Sequence, residues 1–191
     1  MSYLCEDVWQ EAGPDKVERV MTREDLHGTY GESDALAILY EVQESGDFTA
    51  FALTYMHDDD YRVARNALWV LTKATDKELS QLQPMLDQLI DLAMTTDNSS
   101  VRRLSMNIID RIRIRKEDIR TDFLDFCLEH AVDVTEYPGI QSLAIKLSCQ
   151  MCSHYPELKE ELHRTLEAME ISYYKPAVKS IRNRVLNGKY K

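Results

Sequence analysis

LQPMLDQLIDLAMTTDNSSVRRLSMNIIDRI, residues 82–112, is the stretch that decides the fold. Its apolar residues recur at i, i+3, i+4 and i+7 from Leu82 to Ala93 and again from Val101 to Ile112, the pattern of two amphipathic helices. Between them, residues 97–100 (DNSS) carry short oxygen-bearing side chains that can end one helix and cap the next. The stretch therefore predicts a helical hairpin with two buried apolar stripes.

The hairpin pattern recurs at a constant interval. Three columns of first-helix positions are each spaced 38 residues apart: Phe48, Leu86, Leu124 and Leu162; Ala52, Ile90, Leu128 and Leu166; Tyr55, Ala93, Ala131 and Met169. Unrelated amphipathic helices have no reason to keep one offset over four copies, so we infer an internal repeat.

The second helices keep this period less strictly. One column reads Val63, Val101, Ile140 and Ala177, with steps of 38, 39 and 37 residues. We therefore expect one extra residue in the third bend, at residues 136–139, because loops absorb insertions. The same alignment puts Arg184 in the column of Val70, Ile108 and Leu147, and so predicts a polar last repeat that closes the stack.

Paired helices at this period, with Asp97 in the bend and Val101-Arg102 at the start of the second helix, resemble HEAT-like (armadillo-type) helical repeats. The resemblance covers about residues 47–187. The tetratricopeptide alternative requires a period of about 34 residues and a Trp-Leu-Gly-Tyr pattern that the sequence lacks. The HEAT resemblance implies an all-α fold, a right-handed α-solenoid of about four helical hairpins, with the second helices on the concave binding side.

We expect one continuous domain with two parts. Residues 1–46 form an N-terminal helical cap, and residues 47–191 form the four hairpins. Within the cap, the pattern predicts short helices at residues 3–11 and 14–21, a loop at residues 23–32 and a helix over about residues 33–44.

The composition favours a cytoplasmic protein. The chain is 44% hydrophobic and 29% charged, which is ordinary for a soluble globular domain. No apolar run approaches the roughly 18 to 20 residues that span a bilayer, so we expect no membrane association. The start of the chain lacks the basic and apolar regions of a signal peptide. We expect the four cysteines, Cys5, Cys127, Cys149 and Cys152, to be small buried hydrophobes rather than a redox or zinc site.

Motifs for catalysis are scarce. The sequence has no glycine-rich phosphate loop, no G-x-S-x-G and no H-E-x-x-H, so we assign no catalytic residue and no cofactor and regard an enzyme as less favoured. Residues 57–60 (HDDD) gather an imidazole and three carboxylates. Four successive residues cannot easily direct all their side chains at one metal ion, and aspartates at this position are expected as helix caps. We therefore assign no metal site.

The side of the second helices opposite the apolar stripe is the candidate binding surface. Of its twenty positions, seven are Lys or Arg and one is acidic, although the chain has a formal net charge of −10. Solvated faces usually mix both signs, so this basic surface favours an acidic partner. Ten of the twenty positions are assigned as binding residues: Arg62, Arg65, Trp69, Lys73, Arg103, Asn107, Arg111, Lys146, Lys179 and Asn183.

Two functions remain open. The leading one is a non-catalytic scaffold that binds an acidic protein or peptide segment on this surface. The alternative is a nucleic-acid binder or enzyme resembling the HEAT-like DNA glycosylases of alkylation repair, in which Trp69 and Asp110 would be the residues near the base. The sequence does not assign an oligomeric state.

Overall fold

The computed structural model describes residues 22–190, and every regular element in that part of the chain is helical. Eleven α-helices follow one another: α1 (Arg23–His27), α2 (Glu32–Ser45), α3 (Phe48–Tyr55), α4 (Tyr61–Leu71), α5 (Asp76–Leu79), α6 (Leu86–Thr95), α7 (Ser99–Ile112), α8 (Thr121–Val132), α9 (Pro138–Cys152), α10 (Pro156–Ala168) and α11 (Pro176–Leu186). Short 3-10 helices cover Ser80–Met85, Lys116–Asp118 and Ile171–Tyr173. The predicted all-α, HEAT-type architecture is confirmed.

Four helical hairpins follow one another along the chain: α3 with α4, α6 with α7, α8 with α9, and α10 with α11. The first-helix column of Phe48, Leu86, Leu124 and Leu162 is buried in every copy, as the 38-residue spacing predicts. Each second helix packs on the next, α4 on α7, α7 on α9 and α9 on α11, so the second helices form one continuous layer. One contiguous core runs between the two layers.

In the hairpin of α6 and α7, the bend has the predicted helix cap, but the first helix begins later than predicted. Asn98 caps α7 by accepting hydrogen bonds from the backbone N–H groups of Ser100 and Val101. The first helix does not start at Leu82, because residues Ser80–Met85 adopt a 3-10 helix that contains Pro84, and the α-helix begins at Leu86. Proline lacks the N–H that an α-helix interior needs, so the turn around it tightens.

The predicted alignment of the fourth hairpin is wrong by one residue. Ala177 is exposed, whereas Val178 is fully buried in the column of Val63, Val101 and Ile140. The residues that precede the four second helices, Asp60, Asn98, Tyr137 and Lys175, give the same register. The bends of the third and fourth hairpins are therefore both one residue longer than the first two.

This correction also restores the apolar stripe of the last repeat. Val185, not Arg184, occupies the column of Val70, Ile108 and Leu147, and it is 2% exposed. Arg184 is exposed on the opposite side. The expectation that Arg184 makes the last repeat polar is therefore wrong, although the corrected alignment places half-buried Arg182 in the column of Ala67, Ser105 and Ala144.

The region before the hairpins contains two helices in the described part. The predicted loop at residues 23–32 is wrong over its first half, because Thr22 and Asp25 form a reciprocal capping box that starts α1. The helix predicted at about residues 33–44 is α2, and it ends at Gly46, whose φ of 71° is the left-handed conformation that glycine tolerates. The helices predicted at residues 3–11 and 14–21 lie outside the described residues.

Both α1 and α2 pack against α4, the second helix of the first hairpin. Asn66 of α4 is completely buried, and its Nδ2 donates hydrogen bonds to the carbonyl oxygens of Leu26 and Thr29. This buried amide fixes the start of the described chain onto the stack. Among residues 22–190, no helix is long and apolar enough to cross a membrane.

Candidate interaction surface

Eight of the ten predicted residues lie on the solvent-facing sides of α4, α7 and α9 or, for Lys73, just after α4; together with the corresponding side of α11 they form a surface that we call the second-helix face. Arg62 and Arg103 are exposed on it, and Asn183 is exposed on α11 but one residue out of register. The other seven side chains, Arg65, Trp69, Lys73, Asn107, Arg111, Lys146 and Lys179, are half-buried.

Contacts between neighbouring helices place the predicted residues of α4, α7 and α9 side by side. Arg111 on α7 donates hydrogen bonds to the carbonyl oxygens of Thr72 and Ala74, at the end of α4, at 2.9 and 2.6 Å. Lys146 on α9 reaches Asp110 on α7. These links make α4, α7 and α9 parts of one surface, so the rows of cations are adjacent rather than scattered.

Towards the C-terminal ends of α4, α7 and α9, three of the predicted cations already have carboxylate partners. Lys73 pairs with Glu32, Arg111 with Asp76 at 2.7 Å and Lys146 with Asp110 at 3.2 Å. The hydrogen bond from Lys73 lowers the pKa of Glu32. Three of the seven predicted bases are therefore neutralised within the molecule and hold neighbouring segments together.

Towards the N-terminal ends, the arginines lack such partners. Among residues 22–190, no carboxylate lies within ion-pairing distance of Arg62, Arg65 or Arg103. The guanidinium of Arg62 lies 6.0 Å from the centre of the Tyr61 ring, and its hydrogen bond with Tyr61 raises the pKa of Arg62 further. These guanidinium groups keep their full charge at the surface.

A neutral amide fixes the position of Arg65. Its Nε and Nη2 donate to Oδ1 of Asn66 at 3.0 and 2.8 Å, and Asn66 itself is held by the backbone of Leu26 and Thr29. The amide orients the guanidinium without cancelling its charge. Arg65 is thus an ordered, uncompensated cation.

Arg103 lies over the start of α9 because Gly139 leaves room for it. A Cβ atom at Gly139 would be 3.0 Å from Cδ of Arg103. Gly139 does not have a positive φ, so the turn does not require glycine for its conformation. Its lack of a side chain lets the Arg103 stem cross from α7 to α9.

Trp69 is half-buried and packs against the hydrophobic core. The ammonium of Lys73 lies 5.8 Å from the centre of its ring, and Lys73 is in turn paired with Glu32. The indole therefore contacts the predicted Lys73, within the part of the surface where the cations are already neutralised. Its assignment to the binding surface stays a prediction.

Asp110 is the centre of a polar network. Its carboxylate accepts hydrogen bonds from Lys146 at 3.2 Å, from Gln150 at 2.6 Å and from the hydroxyl of Tyr190 at 2.7 Å. Burial and this hydrogen bond raise the pKa of Tyr190. The ring of Tyr190 also faces Arg184, whose guanidinium carbon is 5.8 Å from the ring centre. The segment that follows α11 therefore lies on the second-helix face.

The fourth row of the surface differs from the prediction because of the register correction. Ser180 and Arg184, both exposed, take the positions that Lys179 and Asn183 were expected to fill. The two prolines in the sequence indicate the correct alignment of the fourth hairpin. Pro138 and Pro176 are each the first residue of a second helix, and they lie 38 residues apart. No sequence pattern identifies Tyr190, which reaches Asp110 across 80 residues.

Two of the aspartates at residues 57–60 have structural roles. Asp58 accepts two 2.7 Å hydrogen bonds from Arg23, and Asp60 caps α4 by accepting from the Arg62 N–H. Cys127 and Cys152 are buried, and burial raises the pKa of both thiols, that of Cys152 to about 11. Cys149 is half-buried, and Cys5 lies outside the described residues.

Comparison with known proteins identifies a protein family that this chain matches. A family model described as a HEAT repeat domain matches residues 22–189, which cover all the helices from α1 to α11. No curated protein and no solved structure matches the chain.

Proposed function

Because the chain belongs to the HEAT repeat domain family, we propose that it is a non-catalytic scaffold that binds an acidic segment of a partner protein on its second-helix face. HEAT repeats generally mediate protein–protein interactions. A stack of hairpins offers a long continuous surface for such contacts, since each repeat adds one more helix to the layer.

The observation that carries the proposal is the pair of unneutralised arginines on neighbouring helices. Arg65 and Arg103 keep their charge on α4 and α7, in a chain whose formal net charge is −10. A planar guanidinium binds a carboxylate through two parallel hydrogen bonds, so an acidic protein segment fits these arginines.

The glycosylase alternative is less well supported. A residue that acts at a damaged base needs free oxygens, but those of Asp110 accept hydrogen bonds from Lys146, Gln150 and Tyr190. Asp110 is therefore better explained as a structural residue.

A titration with two probes tests the proposal. A fluorescein-labelled peptide of ten glutamates should show a rise in polarisation when the protein is added at low ionic strength, and the rise should shrink as salt screens the charges. A peptide of ten lysines of the same length is the matched control and should not bind. Absence of binding by the glutamate peptide, or release of a damaged base from duplex DNA by the protein, would overturn the proposal.

A further inference from the structure

We propose that the partner segment crosses the N-terminal ends of α4, α7 and α9 as an extended acidic peptide, and does not follow the C-terminal ends of these helices. The inference rests on the proposed function and deepens it. The contact surface, which we call the arginine strip, consists of Arg62, Arg65, Arg103, Tyr30, Tyr61 and Tyr137.

The cations at the N-terminal and C-terminal ends of the second helices differ in whether they are available to a partner carboxylate. A partner carboxylate that approached Lys73, Arg111 or Lys146 would have to displace a carboxylate that is already bound. At the N-terminal ends Asp58 pairs with Arg23 and Asp60 caps α4, while Asp59 and Asp97 are exposed in the bends and pair with none of the three arginines. Among the predicted cations of α4, α7 and α9, an incoming carboxylate therefore meets unpaired guanidinium groups at Arg62, Arg65 and Arg103, whereas Lys73, Arg111 and Lys146 are already paired.

The strip is also ordered before a ligand arrives. Asn66 holds Arg65, and the space over Gly139 accommodates the stem of Arg103. Fixing a side chain in its bound position in advance removes part of the entropic cost of association. A surface arginine that served only solubility would not need a buried amide to hold it.

Three exposed tyrosines border these arginines. Tyr30 is 81% exposed, Tyr61 is 50% exposed at the first residue of α4, and Tyr137 is 63% exposed just before α9. Tyr30 is close enough to Arg62 to contribute to the raised pKa of that guanidinium. Tyrosine and arginine are the residues that most often dominate the energy of protein interfaces, and exposed aromatic rings cost free energy in water until they are covered.

The spacing of the helices defines the partner further. Packed helices lie roughly 8–10 Å apart, and an extended chain advances about 3.3 Å per residue. Carboxylates about three residues apart therefore reach arginines on consecutive second helices. We expect the partner to carry Asp or Glu at positions i and i+3, with the intervening side chains facing the tyrosines.

Charge reversal tests where the segment binds. The double variant R65E/R103E should weaken binding of the labelled deca-glutamate peptide at least tenfold. The variant K159E/R164E changes the net charge equally but lies on α10, a first helix, and it should weaken binding less than twofold. The neutralising variant K73Q/K146Q tests the C-terminal ends and should also have less than a twofold effect. Circular dichroism checks that each variant is folded.

The outcomes separate this inference from the proposed function. If the wild-type protein does not bind the peptide, the proposed function fails. If it binds but R65E/R103E behaves like K159E/R164E, or K73Q/K146Q has the larger effect, the inference alone fails. Tighter binding of a twelve-nucleotide oligothymidine than of the peptide would overturn both.

Two further measurements need no charge reversal. NMR of the wild-type protein with the peptide should shift the resonances of Tyr30, Tyr61 and Tyr137, and unperturbed resonances would count against the strip. A nine-residue Gly/Ser peptide with glutamates at i and i+3 should bind more tightly than one with the same glutamates adjacent. Equal binding would overturn the extended geometry.

Discussion

Cations at the two ends of the second helices have different environments in this protein. Arg103, near the start of α7, has no carboxylate partner among residues 22–190 and stays exposed, whereas Arg111, two turns later in the same helix, bonds to Asp76 and to the carbonyl oxygens of Thr72 and Ala74. Both were assigned to one basic surface by their spacing. A count of charges on a helix face therefore overestimates the charge available to a partner when acids from a neighbouring repeat fold over one end.

Which residues face solvent on each second helix depends on the alignment of the hairpins. The largest expected effect comes from testing that alignment in the fourth hairpin. Val178→Asp should destabilise the protein by at least about 3 kcal/mol, because it buries a carboxylate with no partner. Ala177→Asp should change the stability by no more than about 0.5 kcal/mol, since Ala177 is exposed in the first turn of α11. Urea unfolding of the two variants measures the difference, and a reversed order would restore the alignment based on Ala177.

Arg111 and Arg103 provide the direct test of the two ends. Arg111→Met removes hydrogen bonds to three residues and should lower the free energy of unfolding by about 2 kcal/mol. Arg103→Met should change it by less than about 0.5 kcal/mol. Thermal unfolding compares them, and hydrogen exchange should show faster opening of residues 72–76 in the Arg111 variant. Equal destabilisation would mean that the two arginines do not differ in role.

Gly139→Ala should separate stability from binding at the N-terminal end. The added methyl group displaces the flexible Arg103 stem, and alanine is the better helix former, so stability should stay within about 0.5 kcal/mol of wild type. Affinity for the glutamate peptide should fall several-fold, because Arg103 no longer lies over α9. The control is the same change in an Arg103→Met background, where a double-mutant cycle should show no further loss of affinity.

The smallest expected effect is the pH dependence contributed by Asp58. The hydrogen bond from Arg23 lowers the pKa of Asp58 below its unfolded value. The stabilisation is therefore complete above the unfolded pKa of about 3.9 and is lost as pH falls through the lower folded value. Arg23→Gln should flatten the decline in stability over this acid range while leaving the Arg103 end unchanged. An identical acid profile in both proteins would contradict the assignment.

The sequence predicted the parts of the fold that depend on apolar spacing. The column from Phe48 to Leu162 is buried in all four hairpins because first-helix positions repeat without insertions. The second helices were harder, since Ala177 and Val178 are both apolar and the pattern does not distinguish them. Pro176 at the first position of α11 resolves the ambiguity, because proline favours helix starts.

The candidate surface was predicted only in outline. Helical spacing placed Arg65, Arg103 and Arg111 on the outer side of the second helices, but it carried no information about ion-pair partners. Glu32 and Asp76 reach the surface from segments that precede and follow α4, and such contacts depend on how loops cross the stack. The Thr22 capping box was also missed, because glycines nearby favoured a loop.

The hydrogen bond between Tyr190 and Asp110 has a consequence for how the molecule unfolds. Stacked repeats interact mainly with their neighbours, so a terminal repeat tends to open first and independently. Here a contact between residues 80 positions apart joins the segment after α11 to the second hairpin, with Lys146 and Gln150 of the third bound to the same carboxylate. Detachment of the last hairpin must also break this hydrogen bond, so we expect its opening to be coupled to that of the second and third hairpins.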